Sequence, residues 1–111
     1  EELYLKRAEA YAQMGEQAKA LVDLNRIKQR AGVPIFNVLD KQLTLDEILA
    51  EKKLEFFTEY GLRFFDMKRT EKINALMIST KPNWITKFQN FPIPESELLL
   101  NSKLGPQNEG Y

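Results

Sequence analysis

The stretch LYLKRAEAYAQMGEQAKALVDLNRIKQRAGVP, residues 3–34, decides the fold because it carries two successive amphipathic helical patterns. The first pattern, residues 3–14, is followed by Gly15, a residue that suits the left-handed conformation of a helix C-cap. The second pattern, residues 17–31, is followed in the same way by Gly32. Two helices joined by so short a turn pack against each other as an antiparallel pair.

The predicted hairpin occupies residues 1–32 and resembles one tetratricopeptide unit, with an aromatic-small-aromatic pattern in its first helix and Ala20-x3-Leu24 followed by Pro34 in its second. Such a unit cannot bury its own faces, so it requires neighbouring helices. The first helix is expected to turn Lys6, Glu9 and Gln13 away from the core. The predicted apolar positions are Tyr4, Leu5, Ala8, Tyr11, Ala12, Ala20, Leu21, Leu24, Ile27 and Ala31.

A second helical region is predicted over residues 43–78. Thr44 and Glu47 have the spacing of a capping box, and Leu43 with Ile48 that of a hydrophobic staple, so a long third helix should begin at Thr44. Its apolar residues form two stripes, which predicts packing on both sides. The first stripe is Leu45, Ile48, Leu49 and Phe56, and the second is Ala50, Leu54 and Phe57.

This third helix also carries a ladder of like charges, because Glu47, Glu51, Glu55 and Glu59 recur every four residues. Paired carboxylates can hold a metal or act as acid and base, but on one helix face without histidine a structural role is favoured. We therefore expect no metal site, and basic residues opposite the ladder. The candidates are Arg7, Lys52, Arg63, Lys68 and Arg69.

The stretch EYGLRFFDMKRT, residues 59–70, follows the ladder. Gly61 should end the third helix at a positive φ. Arg63 and Asp66 should make buried or half-buried polar contacts, with Arg63 facing Glu51, Glu55 or Glu59. Arg63, Asp66 and Arg69 together are expected to oppose the ladder, and Phe64 and Phe65 to return to the core.

The remaining residues predict a short helix over residues 71–78 and then a mostly irregular tail over residues 79–111. Two prolines should keep the segment FPIPESEL extended, with at most one helical turn after it. Leu104 and Tyr111 are the residues expected to hold the tail. The predicted fold class is all-α, with a tetratricopeptide-like hairpin, a long third helix, a shorter helix and a proline-containing tail.

The composition of the chain disfavours several classes of function. The 111 residues contain sixteen basic and sixteen acidic side chains, so no net charge draws the chain toward nucleic acid. Without cysteine or histidine, the usual nucleophiles, general bases and zinc ligands are missing. The glycines are scattered, and no apolar run approaches the roughly 20 residues that span a bilayer. We therefore predict a non-enzyme without cofactor.

Trp84 is the one candidate ligand contact. It lies in a predicted loop beside Asn83, and its indole N–H requires a partner. A stacking platform for a sugar or a base is one interpretation of the aromatic residues, and ordinary packing is the other. Because phenylalanine offers no polar atom, packing is favoured for the phenylalanines. The aromatic residues in question are Tyr60, Phe64, Phe65, Trp84 and Phe88.

Several of these stretches, taken in order, resemble the C-terminal region of the SusD/RagB family. The most specific are Glu-x-Gly-x-Arg-aromatic-x-Asp-x-Lys-Arg at 59–69, PIP at 92–94 and QN-x-GY at 107–111. The wider matching segments are YLKRAEAYAQMG, ALVDLNRIKQRAGVP, ILAEKKLEFFTEYGLRFFDMKRT and FPIPESELLLNSKLGPQNEGY.

The resemblance implies a non-catalytic, outer-membrane glycan-binding lipoprotein, built on tetratricopeptide-like helix pairs. It implies a SusC-like TonB-dependent transporter and an oligosaccharide as partners, and a lipid anchor on the cell-surface side in an N-terminal part of the protein. On this interpretation the chain is a fragment that serves mainly as scaffold and packs against the rest of its own polypeptide. The alternative is a free-standing tetratricopeptide-like module that binds other proteins.

Overall fold

The computed structural model describes residues 2–57, 59 and 61–111, and in these residues all regular structure is helical. The all-α prediction is therefore confirmed. The elements are α1 (Glu2–Gln13), α2 (Gln17–Arg30), α3 (Lys41–Glu55), α4 (Leu62–Arg69), α5 (Ile73–Thr80), a 3₁₀ helix (Thr86–Gln89) and α6 (Glu95–Leu100).

The chain forms two compact units, residues 1–63 and 64–111, and the boundary falls within α4. In the first unit, α1, α2 and α3 all contact one another. Their shared core is small and aliphatic, flanked by partly buried Tyr4, Tyr11 and Phe36. The fully enclosed residues of this core are Leu5, Ala8, Ala12, Ala20, Leu21, Leu24, Ile27 and Ile48.

The predicted hairpin is confirmed, and both of its helices end as expected. Gly15 has a φ of 84° and Gly32 a φ of 70°. Each sits in a Schellman arrangement, since the amide after each glycine bonds back to a carbonyl of the last helical turn. Two positions differ from expectation: Ala31 is exposed, and Glu9 is buried although its spacing predicted a solvent-facing side chain.

The predicted start of the third helix was wrong by one turn. Asp40 is the N-cap, and its carboxylate accepts a hydrogen bond of 2.8 Å from the amide of Leu43. Thr44 lies inside the helix, fully buried, and its hydroxyl donates to the carbonyl of Asp40 at 2.6 Å. Asp40 thus caps the amide of Leu43, one turn before the amide of Glu47 that a cap at Thr44 would serve, so the helix gains an additional turn at its start.

The end of α3 also differs from expectation. The helix stops at Glu55 with Phe56 as its C-cap, so Gly61 does not terminate it. Gly61 has the predicted positive φ, 66°, but lies immediately before α4. The first apolar stripe is buried or half-buried, whereas Leu54 and Phe57 of the second are each 71% exposed. Thr58 and Tyr60 lie outside the described residues.

In the second unit, α5 agrees with the predicted helix, while α6 is longer than the single turn expected. The tail is held mainly by polar contacts. The Gln107 side chain accepts from the amide of Ile93 at 2.7 Å and donates to the carbonyl of the same residue at 2.8 Å. Tyr111 donates to the carbonyl of Asn90 at 3.0 Å, as an anchor should. Leu104, the other expected anchor, is 43% exposed.

Candidate functional site

Trp84 lies just before the 3₁₀ helix and is half-buried. Its indole nitrogen donates to the Asn74 side-chain oxygen at 2.9 Å, and its ring meets that of Phe88 edge to face with centroids 5.9 Å apart. The requirement for a partner, inferred from the sequence, is thus met inside the protein. The hydrogen bond fixes the ring orientation, so any ligand would meet an aromatic surface that is already ordered.

Two amide side chains that were not among the predicted site residues, Asn74 and Gln89, complete this group, which we call the Trp84 group and which also contains Trp84 and Phe88. Asn74 on α5 donates to the side-chain oxygen of Gln89 at 3.2 Å. A chain of hydrogen bonds therefore runs from Trp84 through Asn74 to Gln89. Both amides are half-buried. The spacing of 10 residues between Asn74 and Trp84 corresponds to no helical repeat, so local pattern offered no signal for the contact. Aromatic faces beside amide groups suit a polyhydroxylated ligand.

The other aromatic candidates do not share one environment. Phe64 is half-buried and contacts the rings of both Phe65 and Phe91. Phe65 is 60% exposed, which contradicts its expected return to the core. Phe88 is 38% exposed and belongs to the Trp84 group.

Basic side chains of α2, which were not among the predicted candidates, pair with the glutamate ladder. Glu51 accepts from Lys28 at 2.6 Å, and both side chains are almost entirely buried. Glu55 pairs with Arg30, while Glu47 lies 3.9 Å from Lys28.

A second buried ion pair joins α1 to α3. Lys52 of α3 donates to Glu9 of α1 at 2.7 Å, and each side chain is 9% exposed. This pair explains why Glu9 is buried, because the Lys52 ammonium offsets the cost of removing its charge from water.

Arg7 does not face the ladder, contrary to expectation. It makes two hydrogen bonds of 2.7 Å to the carboxylate of Asp23 on α2. This bidentate contact raises the pKa of Arg7 further above its usual value, first through the hydrogen bond and then through the opposite charge. Asp23 is buried, so the pair connects α1 to α2 at the edge of the core.

Arg63 also has a different partner from the one expected. Its guanidinium donates to the carbonyl of Leu49 at 3.3 Å, a half-buried contact with the α3 backbone rather than with the ladder. Asp66 accepts from Arg69 at 2.8 Å within α4, and Glu59 is exposed. The cations that meet the ladder in these contacts, Lys28 and Arg30, both come from α2.

No group of three or more acidic side chains is arranged to hold a metal ion in the part of the chain that the structure describes. None of the helices in that part combines the length and the apolar character needed to cross a membrane.

Comparison with known proteins agrees with the fold. The family model described as the SusD family matches residues 2–111. A SusD-like protein, P38, of Formosa agariphila is 32% identical over 85 residues, which cover 68% of this chain and 17% of that protein. The crystal structure of a SusD-like protein from Bacteroides fragilis superposes with a TM-score of 0.82 at 26% identity, over 99% of this chain and 24% of the other.

The helical architecture and the match along nearly the whole chain assign the class, and the chain belongs to the SusD family. It spans about a fifth of the length of these two relatives, 17% of one and 24% of the other.

Proposed function

We propose that this chain is the C-terminal part of a non-catalytic, outer-membrane lipoprotein that binds glycans and passes them to a SusC-like TonB-dependent transporter. The family match over residues 2–111 carries this proposal. The full-length protein would be anchored by lipid on the cell-surface side, and an oligosaccharide would be its ligand.

Within that protein, the first unit serves mainly as scaffold. Three ion pairs, Arg7–Asp23, Lys28–Glu51 and Lys52–Glu9, join each pair of the first three helices. Two of them are buried, and such pairs are costly to disrupt one partner at a time. Side chains used in this way are not available to hold a ligand.

The second unit contributes one candidate ligand contact, at Trp84. The supporting observation is its ordered group of rings and amides, in which Phe88 remains partly exposed. A sugar ring packed on Trp84 could use the remaining hydrogen-bonding capacity of Asn74 and Gln89.

A glycan array on the full-length protein tests the proposed function, and an array without any bound oligosaccharide would contradict it. Oligosaccharides that bind should then be titrated against wild-type protein and Trp84→Phe while tryptophan fluorescence is followed. We expect a fluorescence change that the variant loses, together with weaker binding. Equal affinity of both proteins would remove Trp84 from the site.

The tetratricopeptide spacing of the hairpin supports a second candidate function, a free-standing protein-binding module. The reading frame separates the two proposals. An N-terminal lipobox and a neighbouring gene for a TonB-dependent transporter support the lipoprotein, and a short reading frame with neither supports the module.

A further inference from the structure

The segment that holds the Trp84 group is positively charged, although the chain as a whole is neutral. Residues 72–94 contain Lys72, Lys81 and Lys87 and neither aspartate nor glutamate. All four members of the Trp84 group lie within this segment. A local excess of positive charge raises the local concentration of anionic ligands.

Lys87 lies beside the Trp84 group. Its ammonium nitrogen is 5.9 Å from the centroid of the Phe88 ring, and that ring in turn meets the ring of Trp84 at 5.9 Å. Ring contacts therefore lead from Trp84 through Phe88 to a cation. A ligand that packs on Trp84 and extends past Phe88 meets the Lys87 ammonium.

Neutral groups hold the Lys87 side chain in place. The ammonium donates to the carbonyl of Gly110 at 2.9 Å and lies 4.5 Å from the centroid of the Tyr111 ring. Gly110 packs closely against the same side chain, because a Cβ at that position would lie 3.0 Å from the Cβ of Lys87. A cation that is already positioned loses less conformational freedom when a ligand binds.

The charge of Lys87 remains available to a ligand. In the part of the chain that the structure describes, no side-chain carboxylate lies within ion-pair distance of its ammonium. Lys28 and Lys52 of the first unit, by contrast, are each paired with a glutamate. An ammonium has three donors, of which the Gly110 carbonyl takes one. The carbonyl and the Tyr111 ring orient the cation without neutralising it.

We propose that the Trp84 group binds an acidic oligosaccharide, in which one sugar ring packs on Trp84 and an acidic substituent pairs with the Lys87 ammonium. The carboxylate of a uronic acid and a sulfate ester both provide the required anionic oxygens. Such a charge-assisted contact is stronger than one between neutral groups. The inference rests on the proposed function and adds the charge class of the ligand.

Titration of the full-length protein with matched ligand pairs tests this inference. Oligogalacturonate is compared with its methyl ester, and a carrageenan oligosaccharide with its desulfated form, because each pair differs mainly in charge. We expect at least about tenfold tighter binding of the charged form in one pair, which identifies the acidic group as carboxylate or sulfate. No preference for the charged form in either pair overturns the proposal.

The salt dependence of this preference is a second measurement. The screening length falls from about 10 Å at 0.1 M ionic strength to about 3 Å at 1 M. The preference for the charged form should therefore shrink as salt is added. A preference that salt leaves unchanged contradicts an ionic contact.

Charge variants test the role of Lys87. Lys87→Gln should remove the preference for the charged form, and Lys87→Arg should retain it. Lys103→Gln, which removes an exposed cation of the same unit outside residues 72–94, should leave it unchanged. The ratio of the two affinities is the decisive quantity, because a merely loosened tail lowers both together. A full preference in Lys87→Gln overturns the assignment of Lys87.

The two proposals fail through different results. A protein that binds maltooligosaccharides or other neutral glycans without any preference for acidic ones overturns this inference and leaves the proposed function intact. A protein that binds no oligosaccharide on the glycan array overturns both.

Discussion

Lys28 and Glu51 illustrate how single residues stabilise the first unit. Both are buried, and their 2.6 Å contact joins α2 to α3. A buried pair contributes little net free energy compared with apolar residues of the same size, but either charge alone is costly because it stays desolvated. The pair therefore specifies how the two helices align more than how tightly they bind.

We expect Lys28→Met to destabilise the protein by about 3–5 kcal/mol, because Glu51 keeps its buried charge without the nearest cation. Adding Glu51→Leu should recover most of that loss. Calorimetry on the full-length protein measures both. Lys19→Met, which removes an exposed pair with the N-cap residue Glu16 and an exposed contact with the Tyr11 ring, should cost about 1 kcal/mol. Equal losses in the two lysine variants would contradict the assignment.

Gly61 provides a second test at the residue scale. Its φ of 66° lies in the left-handed region. Gly61→Val should therefore destabilise the protein by about 1–2 kcal/mol in thermal unfolding, and Gly61→Asn by less, because asparagine tolerates this conformation. Indistinguishable melting temperatures for the two variants would show that the backbone does not require glycine.

At the scale of elements, the N-cap residue determines where α3 starts. Asp40 provides the cap, while Thr44, predicted for that role, is buried one turn inside. The capping-box spacing was present in the sequence, but several residues can serve as caps, and tertiary burial of Thr44 selected the earlier one.

Asp40→Ala should cost about 1 kcal/mol by removing the bond to the amide of Leu43, and Asp40→Asn should retain most of the stability. Urea denaturation of both variants measures the difference. A loss as large in Asp40→Asn as in Asp40→Ala would contradict a capping role.

Just after α4, Glu71 adopts a left-handed backbone conformation that is unfavourable for a residue with a Cβ. Glu71 has a φ of 59°, and the Schellman bonds there run from Glu71 to the carbonyl of Lys68 and from Lys72 to that of Met67. Gly15 and Gly32 hold the equivalent positions after α1 and α2. Glutamate in this conformation costs free energy that glycine does not.

Glu71→Gly should consequently raise stability by about 1 kcal/mol, since relief of the left-handed conformation outweighs the greater freedom of glycine in the unfolded chain. Glu71→Ala, which keeps a Cβ, is the control and should leave the melting temperature nearly unchanged. A gain with alanine as large as with glycine would point to the charge instead.

At the scale of the whole molecule, the two units have different proposed roles: the first is a scaffold and the second contacts the ligand. The first unit uses its charged residues to connect helices, and the second holds the Trp84 group. Substitutions in the first should therefore affect stability without changing glycan recognition, and those at Trp84 should act on recognition.

Arg63→Ala tests this separation. Loss of its half-buried bond to the carbonyl of Leu49 should lower stability by about 1–2 kcal/mol, while glycan affinity of the folded full-length protein stays unchanged. Calorimetry and glycan titration measure the two effects. An unchanged melting temperature together with lost binding would contradict the scaffold role.

The sequence alone determined the helical class, the hairpin, the glycine C-caps and the family resemblance, because these depend on residues a few positions apart. The tertiary structure decided which charged side chains pair with one another. Glu51 pairs with a lysine 23 residues away and Lys52 with a glutamate 43 residues away, and no local spacing encodes such contacts. Glu9 has the spacing of a solvent-facing residue and becomes buried only because α3 supplies an ammonium opposite it. Helical periodicity reports which face is apolar, whereas the compensation of a buried charge depends on which helix packs beside it.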